Sequence, residues 1–301
     1  MTLRARTPHI DLHTHSTASD GTIPPDELMR HAAAVGLDVI ALTDHDTTAG
    51  WTKAAAALPS GLTLLPGAEI SCSWLSPDAA SSGRPISIHL LAYLFDPTEP
   101  RFRDARARVR RSRTDRGMRI VELLQADGYD ITWTEVAEYA GTAPIGRPHV
   151  AHALLLRGLV PDMTTAFMPE WLGRRYRVPK ANIDVFDAVR LVREAGGVPV
   201  LAHPKASVRG RIVSDELIRK LAAAGLAGLE ADHADHDAAQ RAQVRSLARE
   251  AGLFVTGSSD FHGSHKTIRL GENATTTEEV YAQIVAAGKG SSVLSSRFSA
   301  A

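Results

Sequence analysis

The 301-residue sequence predicts an α/β fold, a parallel sheet buried between helices, with a helical subdomain inserted into it. Two observations predict that class. Short runs rich in Val, Ile and Leu recur between longer helical patterns, as β/α units require. Across residues 101–196 that rhythm stops, and helical segments follow one another without a strand. The length accommodates one large barrel or two ordinary domains, and 44% apolar residues suffice for a substantial core.

Strands are read at 8–13, 38–43, 62–70, 86–94, 198–202, 227–231 and 253–258, seven in all. After the first, "PPDELMRHAAAVG" is a helix with proline at its start and Gly36 beyond its end. "SDELIRKLAAAG" repeats the plan, with Ser214 as N-cap and Gly225 as C′. The barrel is therefore assigned to 8–100 and 197–288, and the insertion, expected to cover the active site, to 101–196. The end, 289–301, is small and polar and is expected to be flexible. No internal repeat is visible at solenoid periods.

Composition excludes several function classes. Lys plus Arg and Asp plus Glu are 34 each, so bulk charge gives no general attraction to nucleic acid or an anionic membrane. The single cysteine, Cys72, rules out an intrachain disulfide and a thiolate zinc cluster. It fits a reducing compartment, so the cytoplasm is expected. The first residues, "MTLRARTPHI", hold no apolar stretch of signal-peptide length, and no run approaches the ~18 apolar residues of a spanning helix. Neither a membrane nor a stable protein partner is implied.

Ionisable residues fall in a pattern. His13 and His15 follow the first strand, Asp44 and His45 the second, Glu69 ends the third, and His89 lies within the fourth. His203 follows the fifth, and Asp260 with His262 the seventh. In a parallel barrel these ends share one face, where barrel enzymes build their sites. His13 and His15 have strand spacing, so both rings point the same way. With Asp20, the nine imidazole and carboxylate candidates (His13, His15, Asp20, His45, Glu69, His89, His203, Asp260, His262) exceed what one ion uses, so two or three divalent ions are expected. Histidine and carboxylate donors without thiolate suit Mn, Fe or Zn, with Mn preferred.

The segments "DLHTHSTASDG", "LTDHDT", "GAEIS", "IHLLAY", "LAHP" and "SSDFHG" span residues 11–263. Through them the chain resembles the PHP (polymerase and histidinol phosphatase) family. The resemblance implies a distorted (β/α)7 barrel and a trinuclear metal centre that hydrolyses phosphate esters. It implies a first ion on His13, His15, Glu69 and Asp260, with Glu69 bridging to a second ion held by His89 and His203. Asp20, His45 and His262 would hold the third. The inserted helices and "IGRPHVAHALLLRG" are most similar to the group acting on nucleoside phosphates and short RNA. Arg147 would correspond to that group's phosphate-contacting arginine. "LGRRYRVPK" departs from the pattern by its extra arginines.

Phosphate oxygens repel hydroxide, and clustered divalent ions overcome this by supplying bound hydroxide and clamping the oxygens. Glu69 is expected to bridge ions in that chemistry, and Asp44 to orient an imidazole or a water as a catalytic accessory. Arg147, near a helix start, and His149 beside it are the expected substrate contacts. The expected activity is removal of the 3′-phosphate from 3′,5′-bisphosphonucleosides, with short RNA as a further substrate. The alternatives are cyclic-phosphate hydrolysis, histidinol-phosphate hydrolysis and a non-catalytic metal-binding module.

Other residues are set aside. His149 with His152, and His233 with His236, have i, i+3 spacing and are read as helix-face pairs that do not bind metal. His9, His31 and His265 are read as structural or solvent-facing. Residues 101–116 contain eight arginines; a solvated helix packed through Phe102, Ala105 and Val109 is favoured over an electropositive wall facing the substrate. Aromatics are 5% of the chain, and no base-stacking platform can be picked out.

Overall fold

The computed structural model describes residues 7–75, 83, 85–141, 143 and 145–296. All seven expected strands are present: β1 (Ile10–Thr14), β2 (Val39–Leu42), β3 (Thr63–Trp74), β4 (Ile86–Tyr93), β6 (Val198–Leu201), β7 (Gly228–Asp232) and β8 (Phe254–Gly257), with β5 (Ile183–Asp184) and β9 (Leu294–Ser295) as short additions. The order along the sheet is β1-β2-β3-β4-β6-β7-β8. An isolated bridge between Thr14 and Phe261 brings the segment after β8 back to β1, so the sheet nearly closes into a barrel.

The helices are α1 (Pro25–Ala34), α2 (Trp51–Ala56), α3 (Pro100–Ala126), α4 (Trp133–Ala140), α5 (Arg147–Leu156), α6 (Met163–Ala166), α7 (Val185–Glu194), α8 (Asp215–Ala223), α9 (Ala238–Ala251) and α10 (Glu278–Ala287). Ser214 caps α8 by accepting the Leu217 N–H, and α1 starts at Pro25 with Asp26 and Glu27 in its first turn. Gly36 and Gly225 follow these helices with φ of +81° and +105°, the conformation for which glycine was expected there.

One expectation fails. The sheet is not wholly parallel, because β4 runs antiparallel to both β3 and β6. Eleven residues separate Trp74 from Ile86, fewer than the dozen or more that a crossover to a parallel neighbour takes, so the strand returns beside its predecessor in the opposite sense. This reversal decides where His89 goes. It lies near the start of β4, paired with Ser71 two residues past Glu69, so it reaches the same mouth that the other strands reach with their C-terminal ends.

The insertion is narrower than 101–196. A second hydrophobic core, including Ile120, Val121, Leu124, Val136, Val150, Leu154, Leu172 and Tyr176, falls within residues 120–176. Phe102, Ala105 and Val109 of α3, and Val185, Val189 and Val192 of α7, belong to the barrel core. α3 thus enters both cores. β5 pairs with Cys72 and Ser73 at the end of β3, which carries the preceding arginine-rich loop to the mouth. The tail also differs from expectation: Gly290 and Ser291 donate to the Leu94 carbonyl, and β9 pairs with Thr63 and Leu64. Residues 297–301 lie outside the described residues.

Candidate metal centre and phosphate pocket

Glu69 is the hub. Its buried carboxylate has Oε2 at 3.2 Å from His13 Nε2, 3.1 Å from His15 Nε2 and 3.2 Å from His45 Nδ1. Oε1 lies 2.6 Å from His89 Nδ1 and 3.2 Å from His203 Nε2. Asp260 Oδ1 faces His13 and His15 at 3.3 and 3.4 Å. Asp20 stands 3.6 to 3.7 Å from His15, His45 and His262. Three overlapping groups have donor atoms close enough for one ion each: His13, His15, Glu69 and Asp260; His15, Asp20, His45 and His262; and His45, Glu69 and His89. His203 belongs to none of these, although its Nε2 meets Glu69 Oε1, and Arg209 Nη1 lies 3.2 Å from the same nitrogen.

Unpaired atoms test whether ions fit. His13 Nε2, His15 Nε2, His45 Nδ1, His89 Nδ1 and Asp260 Oδ1 are all buried without a hydrogen-bond partner. They meet only one another, imidazole nitrogens against carboxylate oxygens at 2.6 to 3.4 Å, which is an arrangement of ligand atoms rather than of hydrogen-bond partners. Divalent cations satisfy imidazole lone pairs and carboxylates together, so the residues fit them. The backbone is bent toward the same point: His203 and Asp260 hold φ of 31° and 54°, a region costly for non-glycine residues.

Electrostatics agree. Burial alone would raise the Glu69 carboxyl, yet His89, His45 and His13 hold it well below the usual carboxylate range. Asp260 is likewise depressed against its burial, by Lys266, His13, His262 and Arg209. Burial opposes protonation of His13, but Asp260, Glu230 and Glu69 together raise it well above its ordinary value. Glu69 and Asp260 are therefore held in their ionised form beside an imidazole, His13, that is pushed toward its protonated one.

Several positions differ from expectation. Asp44 touches no imidazole: it accepts from Ser16 N–H, Ser16 Oγ and Ser19 Oγ at 2.8, 2.7 and 2.6 Å, pinning the loop between His15 and Asp20. It reaches His15 only through Ser19. His149 uses Nδ1 to accept the Gly146 N–H at 2.9 Å, which caps its own helix. Arg147 is the first residue of α5, with its guanidinium over Phe167. His233 and His236 are not on a helix; they occupy the turn between β7 and α9. Both nitrogens of His236 are engaged, with the Ala231 carbonyl and the Lys205 N–H. His9 bonds the Gly271 carbonyl.

Sequence reading missed Glu230, whose Oε1 accepts a hydrogen bond from His13 Nδ1 at 3.0 Å while Oε2 accepts the His203 N–H. A glutamate inside the otherwise apolar "AGLEA" was the available signal. It also missed Asp46, which accepts from Arg113 Nε at 2.9 Å and from Ser71. The eight arginines of 101–116 divide evenly: Arg101, Arg103, Arg108 and Arg111 are exposed, whereas Arg106, Arg110, Arg113 and Arg116 turn inward. Arg106 lies between the rings of Phe95 and Phe102, so it is structural.

The remaining inward arginines belong to a basic cluster with Arg147, Arg177 and Lys180. Arg110 Nη1 donates to the Asp46 carbonyl and Arg113 bridges Asp46 and Ser71. Burial, then Arg113 and Arg147, push Arg116 down to about 9, and its Nε has no partner. Burial together with Arg177 and Arg113 also lowers Arg147. Lys180 falls to about 7, from burial and from Arg113 and Arg116, with Asp46 opposing. At the lip, Tyr139 stacks on His152 with ring centroids 3.6 Å apart, and its hydroxyl meets His265 Nε2. His265, expected to be structural, donates through Nδ1 to the carbonyl of Asp20.

A nearly closed α/β barrel with ion-binding groups at its mouth and a cationic cluster beside them defines a metal-dependent hydrolase of anionic substrates. A family model for the PHP domain matches residues 11–134. A 3′,5′-nucleoside bisphosphate phosphatase from Chromobacterium violaceum is 34% identical over 84% of this chain and 87% of its own. A 5′-3′ exoribonuclease from Haemophilus influenzae is 33% identical over 90% of this chain and 96% of its own. A solved structure from Bifidobacterium adolescentis, described as a metal-dependent phosphoesterase, superposes with a TM-score of 0.85 at 34% identity, covering 94% of this chain and 98% of that one. The chain belongs to the PHP family and is a metal-dependent phosphoesterase. Among the described residues no helix is long and apolar enough to cross a membrane.

Proposed function

We propose that the enzyme removes the 3′-phosphate of 3′,5′-bisphosphonucleosides and accepts short RNA as a further substrate. The observation that carries this reading is the basic cluster. Burial, together with the neighbouring Arg113 and Arg177, depresses Arg116, Arg147 and Lys180, and Asp46 is the carboxylate that opposes this at Arg116 and Lys180. Partly buried cations held together against their repulsion await an anion, and a second phosphate distinct from the scissile one supplies it. The Tyr139–His152 stack at the lip gives a nucleobase a flat surface.

The metal complement in this reading is two to three divalent ions, with Mn first and Fe or Zn as alternatives. His13, His15, Asp20, His45, Glu69, His89, His203, Asp260 and His262 are the proposed ligands, and His203 Nε2 lies 3.2 Å from Glu69 Oε1. When bound, such ions acidify a water and draw phosphate oxygens together. The chain's own groups do the rest. Glu69 presents both oxygens to neighbouring positions, Glu230 fixes the His13 ring with Nε2 inward, and Asp44 holds the Asp20 loop. Arg147 and Arg116 receive the second phosphate.

The test is phosphate release by Mn-loaded protein from adenosine 3′,5′-bisphosphate, cyclic nucleotides, histidinol phosphate and 5′-phosphorylated oligoribonucleotides. The reading expects the bisphosphate to be turned over fastest. Faster turnover of a cyclic phosphate or of histidinol phosphate would replace it.

A further inference from the structure

The two oxygens of Asp260 live in different surroundings. Oδ1 points at His13 and His15 and has no hydrogen-bond partner. Oδ2 receives three donors at once: Arg209 Nη2 at 2.6 Å, Lys266 Nζ at 2.6 Å and His233 Nε2 at 3.2 Å. They come from three segments, the 3-10 turn Ser207–Arg209 after β6, the end of β7, and the loop after β8. A carboxylate oxygen offers about two lone-pair sites, so three donors leave Oδ2 none for an ion.

The donors are themselves fixed. His233 Nδ1 accepts the Asp235 N–H at 2.9 Å, which puts the ring proton on Nε2 and makes His233 a donor to Asp260 instead of a ligand. Arg209 is held from behind by the Asp235 carboxylate. One short turn, residues 233–235, therefore sets both the tautomer of one donor and the aim of another.

We infer that His233, Arg209 and Lys266 are positioning residues that clamp Oδ2 of Asp260, commit that carboxylate to ligation through Oδ1 alone, and thereby set ion affinity at the His13–His15–Glu69–Asp260 position. The inference rests on the reading of this cluster as an ion site. The clamp opposes a simpler role for the two cations, that of neutralising Asp260. The two roles differ in sign. If Lys266 only shares the charge of Asp260, removing it strips a positive charge from beside a dication and tightens binding. If it positions the carboxylate, removing it weakens binding.

The experiment titrates metal-free protein with Mn2+, by calorimetry and by water-proton relaxation, for wild type, His233→Ala, His233→Gln and Lys266→Met, with thermal melts confirming the fold. The clamp expects the dissociation constant of one ion to rise ~10–100-fold in His233→Ala, to recover in His233→Gln through its amide donor, and to rise in Lys266→Met. An unchanged constant in His233→Ala, or a tightened one in Lys266→Met, overturns the clamp. Should His233→Ala fail to fold, Lys266→Met decides alone, since that side chain is one-third exposed. Wild-type protein that binds no Mn2+ defeats the ion-site reading itself, an outcome distinct from variants that merely match wild type.

Discussion

The barrel mouth and the inserted helices treat their polar atoms in opposite ways. In the insertion, Thr132 and Glu135 satisfy each other's backbone donors in a capping box at α4, and Asp162 caps α6. At the mouth, five buried nitrogen and oxygen atoms face one another without a hydrogen bond, and two residues there, His203 and Asp260, hold positive φ. Both regions are well packed, so packing does not distinguish them. The gathering of unmet bonding capacity does: the insertion leaves scattered atoms open, such as His152 Nδ1, whereas the mouth brings five to one place, as ion binding requires.

The comparison breaks first at His13. His13→Ala should lower phosphate-ester turnover by more than the ~100-fold that a supporting partner commands, and reduce the number of Mn2+ ions bound. Wild-type turnover in that variant would show the open atoms to be incidental. The next largest effect concerns the basic cluster. Arg147→Ala should raise KM for adenosine 3′,5′-bisphosphate roughly 10- to 100-fold, the worth of a charge-assisted contact, and leave KM for p-nitrophenyl phosphate near wild type. An equal rise for both substrates would remove Arg147 from second-phosphate binding.

Lys180 sharpens the comparison through pH. With its pKa lowered to about 7 by burial and by Arg113 and Arg116, it is charged below that pH and neutral above. Affinity for the second phosphate should therefore be greatest below pH 7 and fall as pH rises through 7. Lys180→Arg, charged throughout, should flatten the profile of KM against pH. A profile unaltered by the substitution would exclude Lys180. The smallest effect belongs to the insertion: Thr132→Ala should cost about 1 kcal/mol in chemical denaturation and leave kcat and KM unchanged.

Much of the mouth was legible in the sequence because metal ligation restricts residue type and strand ends restrict place. His13, His15, Asp20, His45, Glu69, His89, Asp260 and His262 meet as those rules required. The direction of β4 was not legible, since alternation and apolar runs carry no sign of strand sense. β5 and β9, two residues each, are too short for any period to register. His233 was misread because spacing was taken for a helix where the chain makes a turn. The arginines of α3 were readable in part: Arg106 and Arg113 lie at i, i+4 and i, i+11 from Phe102, on the stripe that the apolar residues define. Helical periodicity favours burial there, and only the aversion to buried charge argued against it.

α3 spans about 40 Å at the standard helical rise. Its first turns are locked among barrel side chains, its last among those of the insertion, and at its middle Arg110 and Arg113 are tied to Asp46. A beam anchored at both ends and bolted at midspan does not hinge. Any movement that admits substrate is then expected at joints made by side chains alone, such as that of Tyr139 and His152 with His265.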